Sequence, residues 1–239
     1  METEQREVDF DALNQRFEDA SPAEILRWSW DTFADKLAIV TSFQPTGIVA
    51  LSMLRTIAPR ISVLTIDTGL LFESTYQFID QIVREWDLDL VRICPEQTPQ
   101  EQAETYGDAL WQRDPNLCCQ LRKVIPLKKA LTGYQAWITG LRRDQSESRR
   151  ATRIVAWDAR HENVKISPFA RWTEGRVWAY LESHGLPYNP LHDQNYTSIG
   201  CQPCTRAVTQ DEDNRAGRWS GSPKIECGIH LPDPTRVEG

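Results

Sequence analysis

The sequence predicts an α/β protein: a mainly parallel sheet with helices on both faces, followed by a loop-rich C-terminal segment. Short apolar runs alternate with longer stretches of helical periodicity, the pattern of βαβ units. Polar turns containing glycine follow three of those runs, where a doubly covered sheet presents the carboxyl ends of its strands. From about Tyr188 the apolar periodicity fades and Pro, Asn, Gly and Cys take over.

In chain order, Phe10, Leu13 and Phe17 share a helical face between Asp9 and Ala20. Ser21-Pro22-Ala23-Glu24 supplies an N-cap, a proline at the first helical position and a capping-box glutamate, so a helix runs from there towards Phe33. Leu37 to Val40 reads as a buried strand that ends in the turn Thr41 to Gly47, with a helix following from Ile48 to Ile57. Ile61 to Ile66 is a second strand, ending in Asp67-Thr68-Gly69. A helix over Thr75 to Trp86, a strand over Leu90 to Ile93 and a helix over Pro99 to Trp111 come next. Leu117 to Leu131 reads as helical, and Ala136 to Thr139 as a strand ending at Gly140. The organisation expected is an α/β unit over residues 1–187 and a functional segment over 188–239.

The 239 residues suffice for a sizeable core, and 40% apolar with 26% charged residues is ordinary for a soluble protein. The net charge of −7 argues against a protein that coats nucleic acid, because such binding rests on Lys and Arg against phosphate. A local cation cluster can still hold a small anion. One exists between Arg122 and Arg150, where eight Lys and Arg face only Asp144 and Glu147. No apolar run is long enough to span a bilayer, and the start, Met1 to Gln15, is polar. A cytosolic protein without secretory leader or membrane partner is expected. Oligomeric state is not legible, and a homo-oligomer stays open.

Six cysteines in such a chain point to metal or catalysis before disulfides. Cys118-Cys119 and Cys201-x-x-Cys204 together offer four thiolates, the number that a tetrahedral zinc or a cubane iron–sulfur cluster needs. Adjacent cysteines aim at one zinc awkwardly, which favours the cluster. Cys94, at a strand end, reads as a small buried residue without a role. Cys227 stands alone in a polar segment, with Arg215 and Arg218 upstream and His230 three residues on. A lone thiol in such company is a candidate nucleophile.

Taken together, these residues resemble the assimilatory adenylyl-sulfate and phosphoadenylyl-sulfate reductases. The resemblance rests on Asp67-Thr68-Gly69, Cys118-Cys119-x-x-Arg122-Lys123, Thr139-Gly140-x-Arg142-Arg143-Asp144-Gln145-Ser146, Lys165-Ile166-x-Pro168, Gly200-Cys201-x-Pro203-Cys204-Thr205, Gly217-Arg218-Trp219 and Glu226-Cys227-Gly228-Ile229-His230. It runs from about Lys36 to His230. It implies an adenine-nucleotide α-hydrolase-like fold and a [4Fe–4S] cluster on Cys118, Cys119, Cys201 and Cys204. It also implies that Cys227 attacks the sulfur of the bound sulfonucleotide, leaving an S-sulfocysteine that a dithiol protein, typically thioredoxin, resolves to sulfite. Members with both cysteine pairs are similar to enzymes that prefer adenylyl sulfate; a preference for the 3′-phosphorylated substrate is the alternative within the family.

On this reading Lys123 stands between cluster and sulfate, and His230 bonds an anionic oxygen or steadies the thiolate. Arg142 or Arg143, Arg150, Arg215 and Arg218 clamp phosphate and sulfate oxygens. Between the neighbours Arg149 and Arg150, the expectation falls on Arg150. Ser42, Gln44, Asp67 and Gly140 line the nucleotide pocket. The turn Ser42-Phe43-Gln44-Pro45-Thr46-Gly47 lacks the S-G-G-x-D-S pattern of ATP pyrophosphatases, which argues against ATP as substrate. Two rivals are a cluster-containing tRNA-thiolating enzyme and a non-enzymatic zinc module. The first needs an ATP loop and a basic RNA face, neither of which this acidic chain offers.

Overall fold

A computed structural model describes residues 8–230. The residues before Val8 and from Leu231 onward, which close the expected 1–187 and 188–239 units at either end, lie outside the described residues. Two helices open the fold, α1 (Phe10–Phe17) and α2 (Pro22–Phe33). Asp9 caps α1, and Ser21 with Glu24 forms the expected capping box on α2. The chain then alternates through β1 (Leu37–Val40), α3 (Pro45–Ile57), β2 (Ser62–Ile66), α4 (Glu73–Trp86) and β3 (Leu90–Ile93). There follow α5 (Pro99–Tyr106), α6 (Leu110–Arg113), α7 (Pro115–Cys119), α8 (Ile125–Leu131) and β4 (Ala136–Thr139). The last elements are β5 (Val155–Asp158), β6 (Asn163–Ile166) and α9 (Glu174–Ser183).

The strands form one sheet in the order β3-β2-β1-β4-β6-β5, parallel except for β5, which runs antiparallel to β6. Alternate strand residues enter opposite cores. Leu37, Ile39, Val63, Ala136 and Ile138 pack with residues of α2, α3, α4 and α9, whereas Ala38, Leu64 and Trp137 pack with Leu127 and Leu131 of α8. Helices therefore cover both faces, as the near-continuous apolar strands required. At the β5 edge, Asn14 of α1 accepts from the Ile154 N–H at 2.8 Å and donates to the Val155 carbonyl at 2.6 Å, so a side chain occupies backbone groups of an edge strand.

The fold departs from the expected elements in three places. The stretch Pro99 to Trp111 is two helices, because the chain turns at Gly107 with φ 80°. The stretch Leu117 to Leu131 is helical but contains a wide π turn, Gln120–Val124, in which the Ile125 N–H reaches back to the Gln120 carbonyl. Pro126 follows directly: it has no N–H to donate and its ring crowds the carbonyl four residues back. The strands β5 and β6 and the helix α9 are additional to the elements expected from the sequence.

Candidate active site

The chain leaves β1 and β4 in opposite directions across the sheet, so their carboxyl ends form the crevice where such sheets bind ligands. The turn after β1 starts with Thr41, whose Oγ1 accepts from the Phe43 N–H at 3.0 Å while Phe43 takes the left-handed φ of 54°. A Cβ at Gly47 would lie 2.2 Å from Thr41 Oγ1, so glycine is required for the first turn of α3 to close on that hydroxyl. Across the crevice, Arg142 Nη1 donates to Thr46 Oγ1 at 2.7 Å and its Nε pairs with Asp144 at 2.9 Å. The C-terminal segment closes over these ends. Gln44 exchanges two hydrogen bonds with the backbone of Ile199, at 3.2 and 3.3 Å, and the Gln202 N–H donates to the Leu70 carbonyl at 2.7 Å.

Together they enclose a cleft of 320 Å³, within the range of small-ligand sites. Its β-strand wall carries Ser42, Gln44 and Gly140, and a second wall Val177, Trp178 and His192. Burial drives the His192 imidazole down to about 4, so this wall is neutral. Cations line one region: Lys123, Arg149, Arg215 and Arg218 face the cleft with Cys227 and His230. Arg218 lies over the Trp219 ring at 4.5 Å, and a Cβ at Gly200 would meet its guanidinium at 2.2 Å. Burial works against the Lys123 charge, but the thiols of Cys201, Cys227 and Cys119 around it hold it above the usual lysine range. His230 stacks on Trp137 and is held well below the usual histidine range by burial and by Lys165 and Arg149 nearby.

Behind Lys123 a second, smaller cavity is lined by Cys118, Cys119, Cys201 and Cys204. The end of α7, directly before the π turn, supplies the first pair, and Cys201 with the 3-10 turn that it caps, Gln202–Cys204, supplies the second. Thr68 Oγ1 lies 3.3 Å from the Cys201 sulfur, and the Gln102 amide donates to Cys118 at 3.9 Å. Burial followed by the neighbouring thiols raises Cys118 to about 11 and Cys204 to about 12. Burial also opposes the Cys201 thiolate, yet Lys123 and Thr68 bring that thiol below its ordinary value. Four soft donors facing one cavity, with hydrogen bonds and an ammonium directed at their sulfurs, suit an iron–sulfur group. Among the described residues, no group of three or more His, Cys, Asp or Glu is gathered closely enough to hold a metal ion.

Several expected site residues stand elsewhere. Arg150 is 76% exposed and pairs with Glu147; its neighbour Arg149 faces the cleft instead. The 3-10 turn Glu147–Arg149 directs the two in different directions, and the i,i+3 spacing of Glu147 and Arg150 was a legible sign of a surface pair. Arg143 turns away to Glu18 at 2.7 Å and the Thr152 carbonyl at 2.9 Å. Asp67 builds its own turn: it accepts from the Gly69 N–H at 2.9 Å and the Tyr76 hydroxyl at 2.7 Å, and does not line the cleft. Cys94 is exposed rather than buried. Glu226, Thr46, Trp178 and His192 line the cleft without having been singled out. The helix that brings Trp178 begins at the cap Thr173, which was readable.

No helix among the described residues is long and apolar enough to cross a membrane. Over the length of the sheet the chain is also similar to known proteins. The adenosine 5′-phosphosulfate reductase of Halalkalibacterium halodurans is 45% identical over 225 residues, covering 94% of this chain and 97% of the relative. That of Salinibacter ruber is 49% identical over 220 residues, covering 92% and 87%. Among solved structures, the phosphoadenylyl-sulfate reductase of Candida auris in its phosphate complex superposes with a TM-score of 0.74 at 30% identity, covering 87% of this chain and 99% of that one. The FMN adenylyltransferase of Candida glabrata with ATP, at 15% identity and a TM-score of 0.58, shares the fold alone. Residues 36–207 match the phosphoadenosine phosphosulfate reductase domain, and with these relatives the match places the chain in that family.

Proposed function

We propose that the protein reduces adenylyl sulfate to sulfite and AMP in sulfate assimilation. The observation that carries this reading is the placement of Cys227 in one cleft with Lys123, Arg149, Arg215 and Arg218. A thiolate approaching a sulfonyl group that bears negative charge is repelled until cations neutralise the oxygens, and this region is where they gather. The relatives at 42–49% identity bear the name adenosine 5′-phosphosulfate reductase, which supports the unphosphorylated nucleotide as substrate.

In the reaction, Cys227 Sγ forms a bond to the substrate sulfur as the bond from sulfur to the bridging phosphate oxygen breaks. That electron pair leaves with AMP. His230 donates a hydrogen bond to an anionic oxygen, and Lys123 and Arg218 hold the sulfonyl oxygens in line. A dithiol partner such as thioredoxin then attacks Cys227 Sγ of the S-sulfocysteine. Sulfite leaves with the sulfur–sulfur electron pair, and the partner's second thiol resolves the mixed disulfide. The partner is thereby oxidised and Cys227 returns as a thiol.

Cys118, Cys119, Cys201 and Cys204 would hold a [4Fe–4S] cluster, which would supply a fixed charge beside Lys123 instead of electrons. Lys123 lines both cavities, so its ammonium can serve the group that reacts with Cys227. The test is a single turnover without reductant, using anaerobically purified protein and either adenylyl sulfate or its 3′-phosphorylated form. A sulfonate adduct mapped to Cys227 with stoichiometric AMP is expected, faster from adenylyl sulfate. Failure to form the adduct from either compound, with the metal content intact, would overturn the reading.

A further inference from the structure

Glu226, the residue directly before Cys227, has a side chain only 4% exposed, although its other neighbour Ile225 is 70% exposed. Arg149 Nε donates to one of its oxygens at 2.7 Å and Nη2 to the other at 2.9 Å, the bidentate fork that gives an arginine–carboxylate pair its directional strength. Arg215 Nη2 stands 3.4 Å from the second oxygen and also donates to the Ile225 carbonyl at 3.2 Å. Arg149 is held from its far side as well, since Nη1 donates to Gln145 Oε1 at 2.6 Å, and Gln145 Oε1 in turn accepts from the Arg142 N–H at 3.1 Å. The carboxylate next to Cys227 is thus linked through Arg149 and Gln145 to the loop that follows β4.

This arrangement sorts the cations of the cleft. Arg142 is paired with Asp144, while Arg149 and Arg215 are paired with Glu226. Among the described residues, no carboxylate lies within ion-pair distance of Lys123 or Arg218. We propose that Glu226 is a positioning residue, which acts as an internal anion to dock Cys227 against the cleft through Arg149 and Arg215, leaving the sulfonyl group of the substrate to Lys123 and Arg218. The assignment rests on the function proposed above. Without the carboxylate, two buried guanidinium groups lose their counter-charge, the Cys227 segment loses its tie, and the freed arginines compete for the substrate's oxygens at a wrong position.

The experiment compares wild type with Glu226→Gln and Glu226→Asp in two readouts: AMP release in a single turnover with adenylyl sulfate, and alkylation of Cys227 by iodoacetamide, located by peptide mapping. For Glu226→Gln we expect the saturating rate of AMP release to fall about a hundredfold, the loss typical of a reacting group displaced by an ångström, without a rise in the half-saturating substrate concentration. Alkylation of Cys227 should rise about fivefold or more, the order of a coupling free energy of 1 kcal/mol. Glu226→Asp, which keeps the charge, should recover part of both. Wild-type rates and alkylation in Glu226→Gln would overturn the proposal, as would a proportionate rise in half-saturating concentration at unchanged saturating rate. If wild type itself releases no AMP, the functional reading fails, and the alkylation ratio still decides the docking role. If Glu226→Gln does not fold, Glu226→Asp and Arg149→Lys carry the same comparison.

Discussion

The indole of Trp137, in the middle of β4, lies parallel to the imidazole of His230, with centroids 5.9 Å apart and planes 10° from one another. Trp137 is fully buried in the smaller core, with Ile229 packed beside that core. The residues after Cys227 are therefore seated on the sheet itself. Replacement of His230 by Phe keeps the stacking and removes both ring nitrogens. We expect His230→Phe to leave Cys227 as protected from iodoacetamide as in wild type while slowing AMP release at least about a hundredfold, and His230→Ala to lose both. Equal alkylation in the two variants would show that the ring does not hold the segment.

Arg149 and Arg150 separate in a second experiment. Arg149→Ala removes a guanidinium from the cleft and leaves Glu226 without its bidentate partner, so a loss of about a hundredfold in the single-turnover rate is expected. Arg150→Ala removes an exposed pair with Glu147 and should change stability by no more than about 0.5 kcal/mol, with activity within about twofold of wild type. The reverse ranking, measured in the same assay, would shift the functional role from Arg149 to Arg150.

Metal content tests the four sulfurs of the second cavity. Anaerobically purified protein should carry about four iron and about four sulfide per chain, and the single variants Cys118→Ser and Cys204→Ser should lose most of both. Cys94→Ser, whose thiol is exposed and outside that cavity, should retain them. Stoichiometric zinc in a colourless protein would replace the cluster with a structural ion. Iron and sulfide analysis with visible absorbance distinguishes the two outcomes without an activity assay.

The neutral wall of the cleft gives a pH dependence. Burial, opposed by Asp193, holds His192 at about 4 instead of 6.5. As pH falls below 6.5 the unfolded chain takes up this proton, while the folded chain takes it up only near 4, so stability contributed by the neutral ring is present above 6.5 and is lost towards 4. Over that range the loss amounts to about 3 kcal/mol. Urea denaturation between pH 7 and 4.5 should therefore show a steeper loss for wild type than for His192→Gln. Parallel curves would mean that the folded state accommodates the charged ring.

How far these features were legible in the sequence differs from element to element. Leu37 to Val40 and Ala136 to Thr139 were readable because central parallel strands are buried on both faces and leave continuous apolar runs. Val155–Asp158 and Asn163–Ile166 were not, since each mixes apolar with polar groups. Their Asp158 and Lys165 answer each other's charge in the fold, a relation that spacing does not display. The cysteine pairs and the cationic region around Cys227 were legible because their chemistry is rare. Arg149 and Glu226 were not, because a 3-10 turn decides which of two neighbouring arginines points inward. Asp67 shows the opposite error: an acid at a strand end looked like a ligand, although its hydrogen bonds to Gly69 and Tyr76 occupy it in building the turn.

The π turn at Gln120–Val124 sets a phase relation along the helical stretch that contains it. One extra residue in a helical turn rotates everything before it by about 100° relative to everything after it. Leu127 and Leu131 face the sheet, so their direction is fixed by the core. The extra residue is what allows Cys118 and Cys119 to face the second cavity while those leucines stay in place. Deleting one residue there would restore a regular helix and turn both thiols away from Cys201 and Cys204. The helix works as a vernier whose offset is one residue, and the cysteine pair is aligned only while that offset is kept.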